Sequence, residues 1–269
     1  MRAAEKAKRP GEKPGRFFIF TGRAEGLFFC PISDIIIAIR EGRPLRGRIP
    51  SAHFHEGEGE TPMEHREQLG SYVYRWNERC FPLGADSLAL GEFRTLKSRD
   101  RVLDLGCGGG LLLLLCAGRE REISLFGVEV DPAAAALARE NLAENGLTGE
   151  ILTGDLRTAP LPEKIDLVIS NPPWYPRGSG ATGGAGRMED CSFSELCRAA
   201  ARVLKPKGRF ALVHSPERLT DLLGGLRGAG LEPKRLQFCR HGTDKPPYAV
   251  LLEAVKGGKP GLEILPDRM

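Results

Sequence analysis

The tetrapeptide Asn171–Trp174, Asn-Pro-Pro-Trp, combines the side chains and the backbone needed to hold an amino group. The amide oxygen of Asn171 and the backbone carbonyl of Pro172 can each accept one hydrogen from an exocyclic amine. Because Pro172 and Pro173 restrict the backbone, that carbonyl is aimed in advance, and Trp174 offers a face for stacking a planar ring. The alternative is a rigid exit from the apolar run "DLVIS" with Trp174 in the core. We predict that the motif holds an amine for reaction.

A glycine-rich turn, "DLGCGGG" at Asp104–Gly110, is the second candidate site. Gly106, Gly108 and Gly110 allow tight backbone turns and the close approach of a ligand. Their spacing, G-x-G-x-G, differs from the dinucleotide fingerprint G-x-G-x-x-G. About twenty residues further on, Glu129 ends an apolar run, where a carboxylate can accept both hydrogen bonds from a ribose diol. This combination favours a ribose-bearing ligand over a plain tight turn with a surface glutamate.

These residues lie among segments that alternate between strand and helix. The segment "DPAAAALARENLAENG" predicts a helix with proline in its first turn and Gly146 at its end. The predicted strands are "RVLDLG", "ISLFGVEV", Glu150–Thr153, Ile165–Ser170, Arg209–His214, Lys234–His241 and Tyr248–Val255. Such alternation predicts an α/β fold with a mostly parallel sheet and helices on both faces. Only "GTDKPP" joins the last two strands, so we expect them to form an antiparallel hairpin.

Composition excludes several classes of protein. The 269 residues are 41% apolar and 28% charged, as in ordinary globular domains. The net charge is +4, and residues 1–62 hold 11 Lys/Arg against 8 Asp/Glu, so the body is near neutral and its bulk charge does not indicate nucleic acid. Seven cysteines without a Cys-x-x-Cys pair indicate reduced thiols rather than a disulfide framework or a zinc site. The apolar runs are too short to span a bilayer, so we expect no membrane segment.

The glycine turn together with Glu129 resembles the class I S-adenosylmethionine-dependent methyltransferases, which have a Rossmann-like fold with a seven-stranded sheet. The resemblance implies that Asp104 and the glycines face the amino acid part of this cofactor and that Glu129 binds its ribose. It also implies that Asp155, in "TGDL", contacts the adenine amine and that Asn171 is a cofactor-binding residue as well. Taken by itself, Asp155 is as well explained as a turn or cap residue.

The motif Asn-Pro-Pro-aromatic resembles the signature of amino-group methyltransferases, which act on adenine N6, on guanine N2 in RNA, or on a glutamine amide in release factors. Two further stretches favour the first of these. "FPLGADSLALGEF" (Phe81–Phe93) and the ending "GGKPGLEILPDRM" (Gly257–Met269) are similar to bacterial tRNA (adenine-N6)-methyltransferases that modify valine tRNA. The similarity covers about residues 75–269, and the ending is its most specific part.

This family resemblance implies a methyltransferase that carries a methyl group from S-adenosylmethionine to the N6 amine of the adenine just 3′ of the anticodon in valine tRNA. Asn171, Pro172, Pro173 and Trp174 would then be the catalytic residues. The alternatives are a release-factor glutamine methyltransferase, an rRNA guanine-N2 methyltransferase, and a non-catalytic module that binds the cofactor and RNA. We expect a cytoplasmic monomer that binds tRNA and no metal.

The chain departs from the family pattern at Leu83, Ser87, Trp174 and Asp267, where phenylalanine, alanine, tyrosine and proline are usual. A basic rim is available to hold tRNA phosphates. Its members are Arg177, Arg187, Arg235, Arg240, Lys245, Lys256 and Lys259. For any one of them, a solvated surface position is an equally good explanation. The glycine-rich stretch Gly178–Gly186 is expected to be a mobile loop that orders over the substrate.

Three regions are expected along the chain. Residues 1–62 are polar, basic and rich in glycine and proline, which indicates disorder, or a non-native extension before a true start at Met63. Residues 63–99 are expected to be a lead-in helix or segment that packs on the cofactor pocket. Residues 100–269 are expected to form the methyltransferase domain.

Overall fold

The computed structural model describes residues 64–77, 80, 82–173 and 191–269. The expectations for residues 1–62, Trp174, Arg177, Arg187 and the loop Gly178–Gly186 lie outside the described residues. None of the α-helices in the described part has the length and apolar character needed to cross a membrane.

The described part contains ten strands, five α-helices and one 3₁₀ turn. The strands are β1 (His65–Leu69), β2 (Tyr72–Trp76), β3 (Arg101–Leu105), β4 (Ser124–Glu129), β5 (Gly149–Thr153), β6 (Ile165–Ser170), β7 (Leu204–His214), β8 (Leu231–Arg240), β9 (Pro247–Lys256) and β10 (Glu263–Ile264). The helices are α1 (Ala85–Phe93), α2 (Leu111–Ala117), α3 (Pro132–Glu144), α4 (Phe193–Val203) and α5 (Leu219–Gly228), with the 3₁₀ turn at Pro216–Arg218 before α5.

The main sheet has eight strands in the order β10-β8-β9-β7-β6-β3-β4-β5. Strands β3 to β7 pair in parallel, and β9 pairs antiparallel with both β7 and β8. The predicted α/β class and the antiparallel hairpin at the end of the chain are therefore confirmed. The seven predicted strands are present, and β10 adds a short eighth strand that pairs with β8.

Two apolar clusters, one on each face of the sheet, form the core. The first packs α1, α2 and α3 against the sheet, and the second packs α4 and α5. The central strand β6 is buried along its whole length, as expected for a parallel strand covered on both faces. Helix α3 has Pro132 in its first turn, as the sequence predicts. The preceding Asp131 caps the helix by accepting from the Ala133 N–H.

A second, two-stranded sheet lies beside the glycine turn and was not predicted from the sequence. Strands β1 and β2 form an antiparallel hairpin whose inward residues include Tyr72 and Tyr74. The amide of the fully buried Asn141 in α3 donates to the carbonyls of Arg75 and Gly109, both at 2.8 Å, and accepts from the Arg75 N–H at 2.9 Å. One side chain therefore ties the hairpin to the glycine turn.

The C-terminal tail lies along β8 beyond β10. The Arg268 N–H donates to the Phe238 carbonyl, and the Arg240 N–H donates to the Arg268 carbonyl, each at 2.8 Å. The Arg268 guanidinium also pairs with Glu92 of α1 at 2.8 Å. The tail thus connects the sheet edge to α1.

Candidate active site

Three of the predicted site residues come together at the carboxyl ends of neighbouring parallel strands. Asp104 lies in β3, Glu129 ends β4, and Asn171 directly follows β6. In the sheet register, Asp104 is opposite Gly127 of β4 and Ile169 of β6. Open α/β sheets bind ligands at this edge, at the point where the strand order reverses. Here the order reverses at β3, which β4 and β6 flank.

The glycine turn has the backbone that its sequence predicts. Gly106, Gly108 and Gly110 have φ angles of +80°, +50° and +83°, in the left-handed region that glycine alone adopts at little cost. The N–H groups of Gly106 and Cys107 both donate to the Val128 carbonyl, at 2.9 and 3.0 Å. These bonds fix the turn against the end of β4, next to Glu129.

Glu129 is buried, with 5% of its surface exposed, and its carboxylate is held by two backbone groups. Its Oε2 accepts from the Gly108 N–H at 2.8 Å, and its Oε1 accepts from the Asp131 N–H at 3.0 Å. Each carboxylate oxygen has a second lone pair, so both can still accept a hydrogen bond from a diol. The arrangement links the glycine turn, the end of β4 and the start of α3 around one side chain.

Asp104 is the most deeply buried carboxylate of the site, with 1% of its surface exposed. Among the described residues its Oδ1 has no hydrogen-bond partner. Burial, and then the negative charge of Glu129, raise the pKa of Asp104 well above its usual range. A buried acceptor without a partner is costly, so this position suits a ligand that brings a cation or a donor.

Asn171 is held by helix α1. Its Nδ2 donates to Asp86 Oδ2 and to Ser87 Oγ, each at 3.0 Å. Because these bonds use both hydrogens of the amide, Oδ1 is the amide atom left to accept from a ligand. The preceding Ser170 is fully buried, and its hydroxyl donates to the Leu105 carbonyl at 2.7 Å. That bond fixes the end of β6 to the end of β3.

Asp155 follows β5, at the same edge of the sheet, and is engaged by a neighbour. Its Oδ1 accepts from the Arg157 N–H at 2.8 Å, and the Arg157 guanidinium pairs with the carboxylate. The hydrogen bonds from Arg157 lower the pKa of Asp155. The side chain thus acts as a turn residue here, and its contact with an adenine amine stays a prediction.

The basic residues predicted to form an RNA-binding rim do not share one surface. Arg235 lies over the Phe93 ring, donates to Thr95 Oγ1 at 2.9 Å and pairs with the buried Glu253. Lys256 donates to the carbonyl of Leu204, the first residue of β7, so it lies at the opposite edge of the sheet.

Lys259 follows the end of β9 and so also lies at that opposite edge, where its carbonyl accepts from Lys234 Nζ. Within the described part of the chain, only Arg240 and Lys245 of the predicted set lie near the edge that carries Asn171. RNA binding by Arg235 stays a prediction, and its pairing with the buried Glu253 could not be seen from its position in the sequence.

Two contacts of the site were missed at the sequence level. Asp86 and Ser87 lie 85 and 84 residues before Asn171, yet they bind its amide. The signal was the stretch "GADSLAL", which the family resemblance singled out without giving it a role. Asp267, another departure from the family pattern, pairs with Arg240.

Known proteins match this chain in sequence and fold. A family model described as "Methyltransferase small domain" matches residues 85–223, more than half of the chain. The chain belongs to the methyltransferase small domain family. The matched span of this family runs from α1 into α5 and so includes Asp104, Glu129 and Asn171.

Several relatives carry one name, tRNA1(Val) (adenine(37)-N6)-methyltransferase. The protein of Parabacteroides distasonis is 29% identical over 187 residues, which cover 66% of this chain and 78% of that protein. Those of Tolumonas auensis and Dickeya chrysanthemi are 32% and 31% identical, over 65% and 68% of this chain and 77% and 76% of their own lengths. The family resemblance inferred from the sequence is confirmed.

Solved structures of methyltransferases share the fold. A predicted O-methyltransferase from Agrobacterium tumefaciens superposes with a TM-score of 0.56 at 20% identity, over 68% of this chain and 86% of that one. A methyltransferase from Pyrococcus furiosus gives a TM-score of 0.51 at 20% identity, over 64% of this chain and 82% of that one. The predicted Rossmann-like class I methyltransferase fold is confirmed.

Proposed function

We propose that this protein transfers a methyl group from S-adenosylmethionine to the N6 amine of an adenine in tRNA, at the position 3′ of the anticodon in valine tRNA. The observation that carries the reaction type is the amide of Asn171. It stands at the carboxyl end of β6, beside Asp104 and Glu129, with its oxygen left to accept. The choice of substrate rests on the relatives whose names specify adenine 37 of that tRNA.

The residues present fit the cofactor. Asp104 has a buried oxygen without a partner in the described part of the chain, which suits the ammonium group of the amino acid end. Glu129 is oriented by two backbone N–H groups and can accept from a ribose diol. Gly106, Gly108 and Gly110 bring the backbone close without side chains. When bound, the cofactor supplies an electrophilic methyl carbon on a sulfonium.

The protein's part in the reaction is to position the amine. An exocyclic amine on an aromatic ring delocalises its lone pair into the ring and is a poor nucleophile. Asn171 Oδ1 and the Pro172 carbonyl would each accept one amine hydrogen, which holds the nitrogen with its lone pair directed along the line of attack. Trp174 would stack on the extruded base. The excess proton is acidic once nitrogen carries four bonds, so it passes to solvent without a strong general base.

A substrate screen tests this function against its rivals. Purified protein with methyl-labelled cofactor is incubated separately with unmodified tRNA, rRNA and release factor. We expect label only in tRNA, recovered as N6-methyladenosine by nucleoside mass spectrometry. Label recovered in a glutamine side chain or as N2-methylguanosine would mean that the substrate is a release factor or rRNA instead of tRNA. The assignment as a methyltransferase would then stand. Binding of tRNA without any methylated product would support the non-catalytic alternative.

A tRNA substrate would require the protein to act in the cytoplasm, and we propose that it acts there as a monomer.

A further inference from the structure

We infer that Asp86 is a positioning residue that sets the orientation of the Asn171 amide, so that its oxygen and not its nitrogen meets the substrate amine. This inference rests on the proposed function, because it assigns a purpose to the accepting oxygen. Asp86 lies in the first turn of α1, and its Oδ2 accepts from Asn171 Nδ2 at 3.0 Å. It touches neither cofactor nor substrate in the proposed reaction and acts through Asn171.

The chemistry of a carboxylate makes Asp86 selective. An asparagine amide rotated by half a turn about its last bond has nearly the same shape, with oxygen and nitrogen exchanged. An ionised carboxylate can only accept, so it stabilises the orientation with Nδ2 toward α1 and repels the other. Ser87 also lies 3.0 Å from Nδ2, but a hydroxyl can accept or donate and would tolerate both orientations. Asp86 is therefore the group that selects the orientation with Asn171 Nδ2 toward α1.

The orientation decides whether the site can hold an amine. With Nδ2 toward α1, Asn171 presents an acceptor to the substrate. In the rotated amide, Nδ2 would face the amine, two donors would oppose each other, and one of the two proposed hydrogen bonds would be lost. The remaining Pro172 carbonyl would not direct the lone pair by itself, so the loss should appear in the chemical step.

The surrounding structure keeps the Asp86 carboxylate in place. A Cβ built on Gly84 would collide with Asp86 Oδ1. The Asp86 carboxylate can therefore occupy its position only because residue 84 has no side chain. Gly84 has an extended backbone with φ −107°, which any residue can adopt, so alanine at this position would act mainly by displacing the carboxylate.

The far end of α1 is also fixed. The Arg235 guanidinium stacks over Phe93 and donates to the Phe93 carbonyl at 2.9 Å, while Arg268 pairs with Glu92. The helix therefore presents Asp86 to Asn171 from a rigid element.

The first test is nuclear magnetic resonance on the free protein, which needs no substrate. We expect the Asn171 side-chain N–H protons to exchange slowly with solvent in the parent protein and at least about tenfold faster in Asp86→Ala and Gly84→Ala. Asp86→Asn preserves the shape if the alanine variant fails to fold. Glu163→Gln removes an exposed carboxylate that precedes β6, at the opposite end of that strand from Asn171, and should leave the exchange unchanged. Equal exchange in the parent protein and in the Asp86 variants would overturn the inference, whatever the substrate is.

The second test is a double-mutant cycle on methyl transfer to tRNA. Asp86→Asn should lower kcat about tenfold and leave the KM values for tRNA and cofactor within about twofold. If Asp86 acts only through Asn171, then Asn171→Ala with Asp86→Asn should be no slower than Asn171→Ala alone. A further loss by the same factor in the double variant would refute a positioning role. Absence of tRNA methylation by the parent protein would refute the proposed function instead, and the exchange measurement would still decide the role of Asp86.

Discussion

At the scale of single residues, two carboxylates at neighbouring strand ends have different environments. Glu129 accepts two backbone hydrogen bonds, at 2.8 and 3.0 Å. Asp104 is buried beside it, and its Oδ1 has no partner in the described part of the chain. The pKa of Asp104 is raised by burial and by the charge of Glu129. The free protein therefore holds a proton on Asp104 above the pH at which an ordinary aspartate would lose it.

This difference predicts a pH dependence for cofactor binding. A cationic ammonium favours the ionised form of Asp104, so binding releases a proton, and affinity should rise as pH rises through the raised pKa. Calorimetry with S-adenosylhomocysteine in two buffers of different ionisation heat measures both affinity and proton release. Asp104→Asn should weaken binding about tenfold or more and remove the proton release. Glu122→Gln, before β4 at the opposite edge, should keep both, and a pH-independent affinity in the parent protein would contradict the role of Asp104.

The same shift has a consequence for stability in the absence of cofactor. A buried acid whose pKa is raised in the folded state contributes stability that is fully present below its unfolded pKa, and that contribution is lost as pH rises through the folded value. Asp104→Asn should therefore unfold at higher urea concentration than the parent protein at neutral pH, and the difference should shrink on acidification. Urea unfolding followed by circular dichroism at several pH values measures this. An equal midpoint at every pH would argue against a raised pKa for Asp104.

At the scale of elements, the glycine turn depends on the hairpin behind it. Asn141 makes three hydrogen bonds that join β2 and the Gly109 carbonyl to α3. Asn145 also binds the hairpin, through the N–H and carbonyl of Val73 at 2.8 and 2.7 Å, and its amide donates to the Asn141 carbonyl rather than to the glycine turn. Substitution of the two asparagines can therefore distinguish support of the hairpin from support of the proposed cofactor site.

Alanine at each position tests that separation. Asn141→Ala should lower the free energy of unfolding by about 2–4 kcal/mol, because it leaves buried backbone groups without partners. It should also weaken S-adenosylhomocysteine binding several-fold. Asn145→Ala should lower the free energy of unfolding by a similar mechanism and leave the affinity for the cofactor product nearly unchanged. Urea unfolding and calorimetry on both variants provide the comparison, and equal losses of affinity would mean that the hairpin as a whole supports the site.

Local sequence patterns predicted most of the elements and none of the long-range contacts that orient the site. The turn at Gly106–Gly110 and the end of β4 at Glu129 were found because each depends on a few adjacent residues. The hairpin β1–β2 was missed because its strands are five residues each, although the buried Tyr72 and Tyr74 alternate with more exposed neighbours. The contact between Asp86 and Asn171 depends on how α1 packs beside β6, which no local pattern specifies.

At the scale of the whole molecule, a few basic residues, and not the net charge, are available to bind RNA at the sheet edge that carries Asn171. The body of the chain is near neutral. Of the basic residues predicted to contact RNA, Arg240 at the end of β8 and Lys245 in the turn to β9 lie, within the described structure, at the same edge of the sheet as Asn171. Arg240 is paired with Asp267 of the tail at 2.5 Å. Lys245 is more exposed, with 63% of its side chain accessible, and its contact with the exposed Asp244 is long, at 3.8 Å. Lys245 is thus the better candidate for a phosphate contact.

A salt titration tests this candidate. Lys245→Ala should raise the KM for tRNA several-fold at low salt and reduce the slope of log KM against log salt concentration by about one, since one phosphate contact is lost. The kcat should be unchanged. Arg121→Ala removes an exposed charge before β4, at the opposite edge, and should change neither quantity. The same effect from both variants would indicate nonspecific attraction to the whole surface.

The central claim is that the Asn171 oxygen holds an adenine amine of tRNA for methyl transfer. The most direct measurement is single-turnover methylation of an unmodified valine tRNA transcript by the parent protein and by Asn171→Ala, with the product located by nucleoside mass spectrometry. We expect N6-methyladenosine 3′ of the anticodon, a rate at least about a hundredfold lower in the variant, and no product when that adenine is replaced by guanine. Full methyl transfer by Asn171→Ala, or methylation of the guanine-substituted transcript, would contradict the account.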